Sequence, residues 1–247
     1  MKSICWFRND LRVLDNPALH YCCLNSDEVI AIYFLNRKQW LEHNDAPVKI
    51  NFWLRNLECL QNELKKLNIP LVILEADTYR DTISALKDFS IKNEIKNLYF
   101  NVEYPINELE RDREIYTLFK ENNIGVFAYH DQVVHQPGSL KTQTGNNFSV
   151  YSPFKRKWFA ELLDEQLDIL ESPEKKQETD IAETDLSKFL DEFSHEYADQ
   201  WPAGEQYIQN YINEFLKFKG TTYKVKRNFP AIDATAKLSP YINAGVI

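Results

Sequence analysis

The chain has 247 residues, 44% of them hydrophobic, which is enough for one sizeable core, and its formal charge of -8 is concentrated: residues 161–199 carry -11, leaving +3 elsewhere. No apolar run approaches the ~18 residues of a membrane span or forms the core of a signal peptide, so a soluble, cytoplasmic protein without a membrane partner is expected. Four cysteines (Cys5, Cys22, Cys23, Cys59) lack paired spacing, and no histidine spacing suits a metal, which argues against a disulfide framework or a zinc site.

A strand is predicted over 3–7, ending at Arg8, and Asp15 or Asn16 can cap a helix with Pro17 in first position, where the missing N–H is not needed. The turn between them has no glycine. Only six glycines occur, the first being Gly125, so the dinucleotide fingerprint and the P-loop, which need glycines for close backbone approach to phosphate, are excluded from the first half. Further strands over 29–35, 70–75, 97–101 and 124–129 alternate with helical patterns over 17–25, 47–67, 79–94 and 106–122. This alternation predicts right-handed βαβ crossovers and an α/β fold, a doubly wound five-stranded parallel sheet. Such a sheet binds ligands beyond the carboxyl ends of its strands, here within 8–15, 36–46, 76–80 and 101–107.

A loop follows over 130–152, then a helix near Pro153, and the folded core is expected to end near residue 165. The acidic stretch 166–200 reads as an interdomain linker. Beyond it, Pro202 can open and Gly220 can close a helix with an apolar stripe (Tyr207, Ile208, Tyr211, Ile212, Phe215, Leu216). Two basic clusters, Lys155-Arg156-Lys157 and Lys217, Lys219, Lys224, Lys226, Arg227, lie outside the acidic segment and suit either a solvated face or nucleic acid.

The opening string Trp6-Phe-Arg-Asn-Asp-Leu-Arg12 followed by Asp15-Asn-Pro-Ala-Leu19 resembles the N-terminus of the DNA photolyase/cryptochrome family. A second string, Tyr223-Lys-Val-Lys-Arg227 and then Thr235-Ala-Lys-Leu-Ser239-Pro-Tyr-Ile, resembles the entry to that family's flavin domain. The resemblance implies FAD contacts from Tyr223, Thr235, Ala236, Lys237, Leu238 and Ser239, and a DNA contact from Arg227. Ser239 is expected to cap a helix with Pro240 in its first turn, which suits a pyrophosphate as well as an ordinary helix start. Ala236 stands where the family usually has serine, and Lys237 can compensate as a point charge.

A third string, Glu103-Tyr-Pro-Ile-Asn107-Glu108, resembles the antenna segment of class I, folate-type members. It implies that Asn107, Glu108 and His43 hold 5,10-methenyltetrahydrofolate, with Glu108 accepting paired N–H bonds from the pterin edge. Asn107 and Glu108 equally suit a helix N-terminus after Pro105. The family's activity is light-driven splitting of pyrimidine dimers in DNA by electron transfer from reduced FAD. Because the chain stops at Ile247, early in the helical FAD domain, it is expected to be an N-terminal portion that alone neither retains FAD nor repairs dimers. Residues 201–247 would be the truncated start of that domain, with 221–247 mobile or docked non-natively and the rest supplied by a separate partner. A non-catalytic folate-binding module or a cryptochrome-type photoreceptor are the alternatives.

Overall fold

The computed structural model describes residues 1–164 and 169–247. Strands β1 (Lys2–Trp6), β2 (Glu28–Leu35), β3 (Leu71–Glu75), β4 (Asn97–Asn101) and β5 (Gly125–Tyr129) form one parallel sheet in the order β3-β2-β1-β4-β5. Both faces are covered, so the central strands read as continuous apolar runs, and neighbouring residues serve opposite cores. Cys5, Ala31 and Tyr33 face one cluster, whereas Ile4, Ile30, Ile32 and Phe34 face the other.

Helices α1 (Pro17–Leu24), α2 (Arg37–Glu42), α3 (Pro47–Lys66), α4 (Tyr79–Lys92) and α5 (Ile106–Glu121) connect the strands. Asn16 is the α1 cap, its side chain accepting from the Leu19 amide at 3.1 Å. Thr78 and Asp81 form a reciprocal capping box at α4. The six-residue α2 lies in a stretch that the sequence pattern leaves as loop. The C-terminal ends of α3, α4 and α5 are closed by Asn68, Glu94 and Asn123 at φ of 60°, 55° and 57°, so asparagine serves mostly where glycine is usual, in keeping with so few glycines.

After β5 come α6 (Tyr151–Asp164), α7 (Ser187–Glu192), α8 (Glu205–Phe218), α9 (Tyr223–Lys226) and α10 (Ser239–Ala244). The boundary expected at 165/166 falls outside the described residues. The core does not end there: Leu186, Phe189, Ile208, Tyr241, Ala244 and Val246 are buried in the same cluster as α1 and α3. The acidic stretch is held along the α/β unit rather than spanning between bodies. Its backbone bonds to Asp15, Leu67 and Asp27, and Thr184 runs against β3, its amide donating to Leu71 O at 2.9 Å while its hydroxyl accepts from the Ile73 amide at 3.0 Å. Few apolar residues mark this segment, which is why its sequence reads as a linker. Phe189→Ala should therefore lower stability by about 3 kcal/mol, the usual cost of emptying a buried aromatic site. Urea unfolding checks this, and a loss below about 0.5 kcal/mol, typical of surface positions, would return the segment to linker status.

The C-terminal expectations also change. Helix α8 starts at Glu205 with Gly204 as its N-cap, rather than at Pro202, and Lys219 rather than Gly220 is its C-cap. Leu238, not Ser239, is the N-cap of α10, and no side chain bonds there. Residues 239–247 are docked: Tyr241 packs edge-on to Phe52 with centroids 5.1 Å apart, and its hydroxyl donates to Pro202 O at 2.9 Å. Among the described residues no helix is long and apolar enough to cross a membrane.

Candidate functional site

The strand order reverses beside β1, and a cavity of about 220 Å³ opens beyond the carboxyl ends of β1 and β2. All four segments singled out by the sheet topology reach it, through Arg8 and Asn9, then Asn36, Gln39, Trp40, His43 and Asp45, then Tyr79, then Glu103. Trp6, Tyr33 and Phe34 contribute from the strands, Lys49 and Trp53 from α3, Glu108 and Arg111 from α5, and Asn243 from α10.

One side of the cavity is a buried ion network. Arg8 donates twice to Asp112, at 2.7 and 2.9 Å, while Arg111 reaches Asp112 at 3.0 Å and Glu103 at 3.0 Å. The Arg8 guanidinium lies 3.8 Å from the Trp6 ring centre and 4.1 Å from that of Phe100. Burial, and then Arg111, push the Arg8 pKa down. For Arg111 burial also opposes the charge, but Asp112 and Glu103 outweigh it and hold the pKa above its usual value. Two cations face two carboxylates here, so the network supplies rigidity rather than a net anion site.

The Arg8-Asp10-Arg12 loop is held in place by side-chain and backbone hydrogen bonds. Asp10 accepts from the Arg8 amide at 2.6 Å and from Asn101 at 2.7 Å, and burial pushes its pKa up to about 6. Arg12 donates to Asp131 at 2.6 Å and to Gly245 O at 3.4 Å, and the Leu11 amide donates to Ala244 O at 3.1 Å. The first and last strings of the chain are thus in contact. Glu205, which sequence reasoning passed over, accepts from the Val13 and Leu14 amides at 3.0 and 3.3 Å and ties α8 to the same loop.

His43 and Glu108 share the cavity, but Asn107 is exposed and does not line it. Glu108 accepts a bond from the Tyr79 hydroxyl, which in turn accepts from the Gln39 amide nitrogen at 2.6 Å. Burial, followed by the bond to Glu108, raises the Tyr79 pKa well above normal. Neither Gln39 nor Tyr79 stands out in the sequence beyond lying in segments that follow β2 and β3.

The residues expected to hold FAD do not meet at this cavity. Tyr223 packs edge-on to Phe215, Arg227 lies exposed over the Tyr223 ring at 5.6 Å, and Lys237 pairs with Asp233 at 3.1 Å. Thr235 and Ser239 are exposed, whereas Ala236 and Leu238 are half-buried.

Residues 3–176 match the model of the DNA photolyase family. Over the whole chain, the sequence is 35% identical to a deoxyribodipyrimidine photo-lyase of Buchnera aphidicola from Acyrthosiphon pisum, and 28% identical over 97% of the chain to that of Escherichia coli. The chain spans about half the length of these curated relatives, 51% in each case. A class III photolyase of Agrobacterium tumefaciens superposes over the whole chain and 51% of its own length, with a TM-score of 0.81 at 24% identity. A Sulfolobus tokodaii photolyase, described with two FAD molecules, covers 100% of this chain and 53% of its own with a TM-score of 0.77 at 22% identity. With the opening motif, the strand order and the family match in agreement, the chain belongs to the DNA photolyase family.

Proposed function

We propose that this chain is the antenna-binding part of a deoxyribodipyrimidine photo-lyase and that a folate-type chromophore, 5,10-methenyltetrahydrofolate, seats its ring system in the cavity between β1, α2, α4 and α5. The observation that carries this is the meeting at one cavity of His43, just past the end of α2, and Glu108, in the first turn of α5, which the sequence keeps far apart. At about 220 Å³ the cavity lies just below the ~300 to 1,000 Å³ usual for ligand pockets, which suits a fused ring with its tail outside rather than a dinucleotide. Glu108 would accept from the ring's N–H groups, Trp40 and Trp53 supply apolar walls, and exposed His43 stands at the mouth. When bound, such a chromophore supplies near-UV absorption. The protein's part is to hold it in one orientation and to keep water from its ring.

Repair of dimers in DNA, and the reduced FAD that it requires, belong to the proposal through the family. FAD would be enclosed by a helical domain meeting α8 to α10, and Arg227, with its neighbouring lysines, would meet DNA phosphates. A flavin in the antenna cavity is the competing occupant, because the S. tokodaii relative carries two FAD molecules.

Titration of the purified chain with methenyltetrahydrofolate, followed by its near-UV band, tests the reading. Glu108→Ala should weaken binding at least about tenfold, the loss expected for a charge-assisted hydrogen-bond pair, whereas Asn107→Ala should stay within about twofold. Absence of binding by the wild-type chain would remove folate from the proposal.

A further inference from the structure

We infer that Gln39 and Tyr79 act as positioning residues that fix which class of heterocycle the cavity accepts: one presenting adjacent N–H donors, not one presenting alternating carbonyls. This rests on the reading of the cavity as an antenna site.

The inference comes from counting protons along the Gln39–Tyr79–Glu108 chain. An ionised carboxylate has only lone pairs, so the shared proton must come from the Tyr79 hydroxyl. That commitment leaves the Tyr79 oxygen as an acceptor, and Gln39 supplies its amide N–H at 2.6 Å. Polarity therefore runs one way, from amide to hydroxyl to carboxylate, across three helices. The Tyr79 ring is held as well, with the Arg111 guanidinium 5.2 Å from its centre and Arg111 fixed by Glu103 and Asp112. At the end of this relay Glu108 is a fixed, acceptor-only group on the cavity wall.

An acceptor-only wall discriminates by edge chemistry. The pterin edge presents an N–H beside an amino group, two donors that a carboxylate can take together. The isoalloxazine edge presents one N–H between two carbonyls, so a carboxylate gains a single donor there and meets a carbonyl oxygen where the pterin offers its second N–H. Specificity of this kind arises from the unpaired groups imposed on the wrong ligand.

The test compares two probes, methenyltetrahydrofolate and riboflavin, on the full 247-residue chain. Wild type should bind the folate at least about tenfold tighter than riboflavin, by the loss of a charge-assisted bond in the second complex. Tyr79→Phe keeps the ring and removes the hydroxyl. It should weaken the folate by about tenfold and leave riboflavin within about twofold, collapsing the ratio. Gln39→Met should move the ratio in the same direction by a smaller factor, and far-UV circular dichroism establishes that each variant is folded. A merely structural role would weaken both probes together and leave the ratio where it was, which overturns the inference. It is overturned equally if both folded variants keep the wild-type folate affinity, or if wild type takes riboflavin as tightly as folate. The reading of the cavity itself fails separately, by wild type binding neither probe.

Discussion

Gly245→Ala is expected to release the C-terminal helix from the rest of the protein. Gly245 has φ of 63°, a left-handed conformation costing an L-residue roughly 1 to 2 kcal/mol. The greater obstacle is space, since an added Cβ would fall 2.0 Å from Asn9 O and 2.5 Å from Asp10 Cα. Those are backbone atoms of the loop bearing Arg8 and Arg12 and cannot swing aside. Relief requires α10 to leave, exposing Tyr241 and Val246, whose burial stabilises by about 1.5 to 3 kcal/mol each. Amide exchange at Leu11, which donates to Ala244, and at position 245 should accelerate to the rate of an open terminus, while β1 and β2 remain protected. Because Asn243 lines the cavity, chromophore affinity should fall as well. Unchanged exchange at Leu11 would show that the chain ends are not clamped in this way.

The second large effect is expected at Asp112. Its carboxylate holds Arg8 in a two-bond fork and also takes the Arg111 Nε, and all three side chains are about nine-tenths buried. Asp112→Ala strands a buried cation next to a second one, for which a loss of about 3 to 5 kcal/mol is usual. Removing both charges is less costly, since replacing a buried pair by apolar side chains of similar size is often close to neutral. The double variant Arg8→Met with Asp112→Leu should thus recover much of the stability that Asp112→Ala loses. Guanidinium unfolding of Arg8→Met, Asp112→Leu and the double variant gives the coupling directly. Additive losses would mean that the pair carries no interaction of its own.

Most of the sheet was legible in the sequence because its strands are apolar runs separated by amphipathic helices; Val29 to Leu35 leaves no room for another assignment. The polar parts were less so. Asn16 was readable as a cap because its partner is three residues away. Ser239 was not, since whether a serine caps or starts a helix depends on backbone angles that its neighbours do not reveal. The acidic segment looked like a spacer because its anchors, Leu186 and Phe189, are isolated and its hydrogen-bond partners lie more than a hundred residues away. At the candidate site, His43 and Glu108 came from resemblance to a family. Gln39 and Tyr79 carry no pattern of their own, because a relay joining residues 40 and 29 positions apart exists only once β2, β3 and α5 are assembled.

The path of the acidic segment along β3 has a bearing on solubility. A border strand of a sheet offers a row of unpaired amides and carbonyls on which a foreign chain can polymerise, and natural proteins blunt such borders with charge or cover. Here Thr184 occupies Leu71 and Ile73, and Glu183 and Asp180 are tethered beside it by Lys65 and Lys2. A strand approaching from that side meets a rim whose Leu71 carbonyl and Ile73 amide are already taken. The segment whose charge first suggested an idle tether thus covers a border strand, one of the ways natural proteins limit growth at a sheet edge.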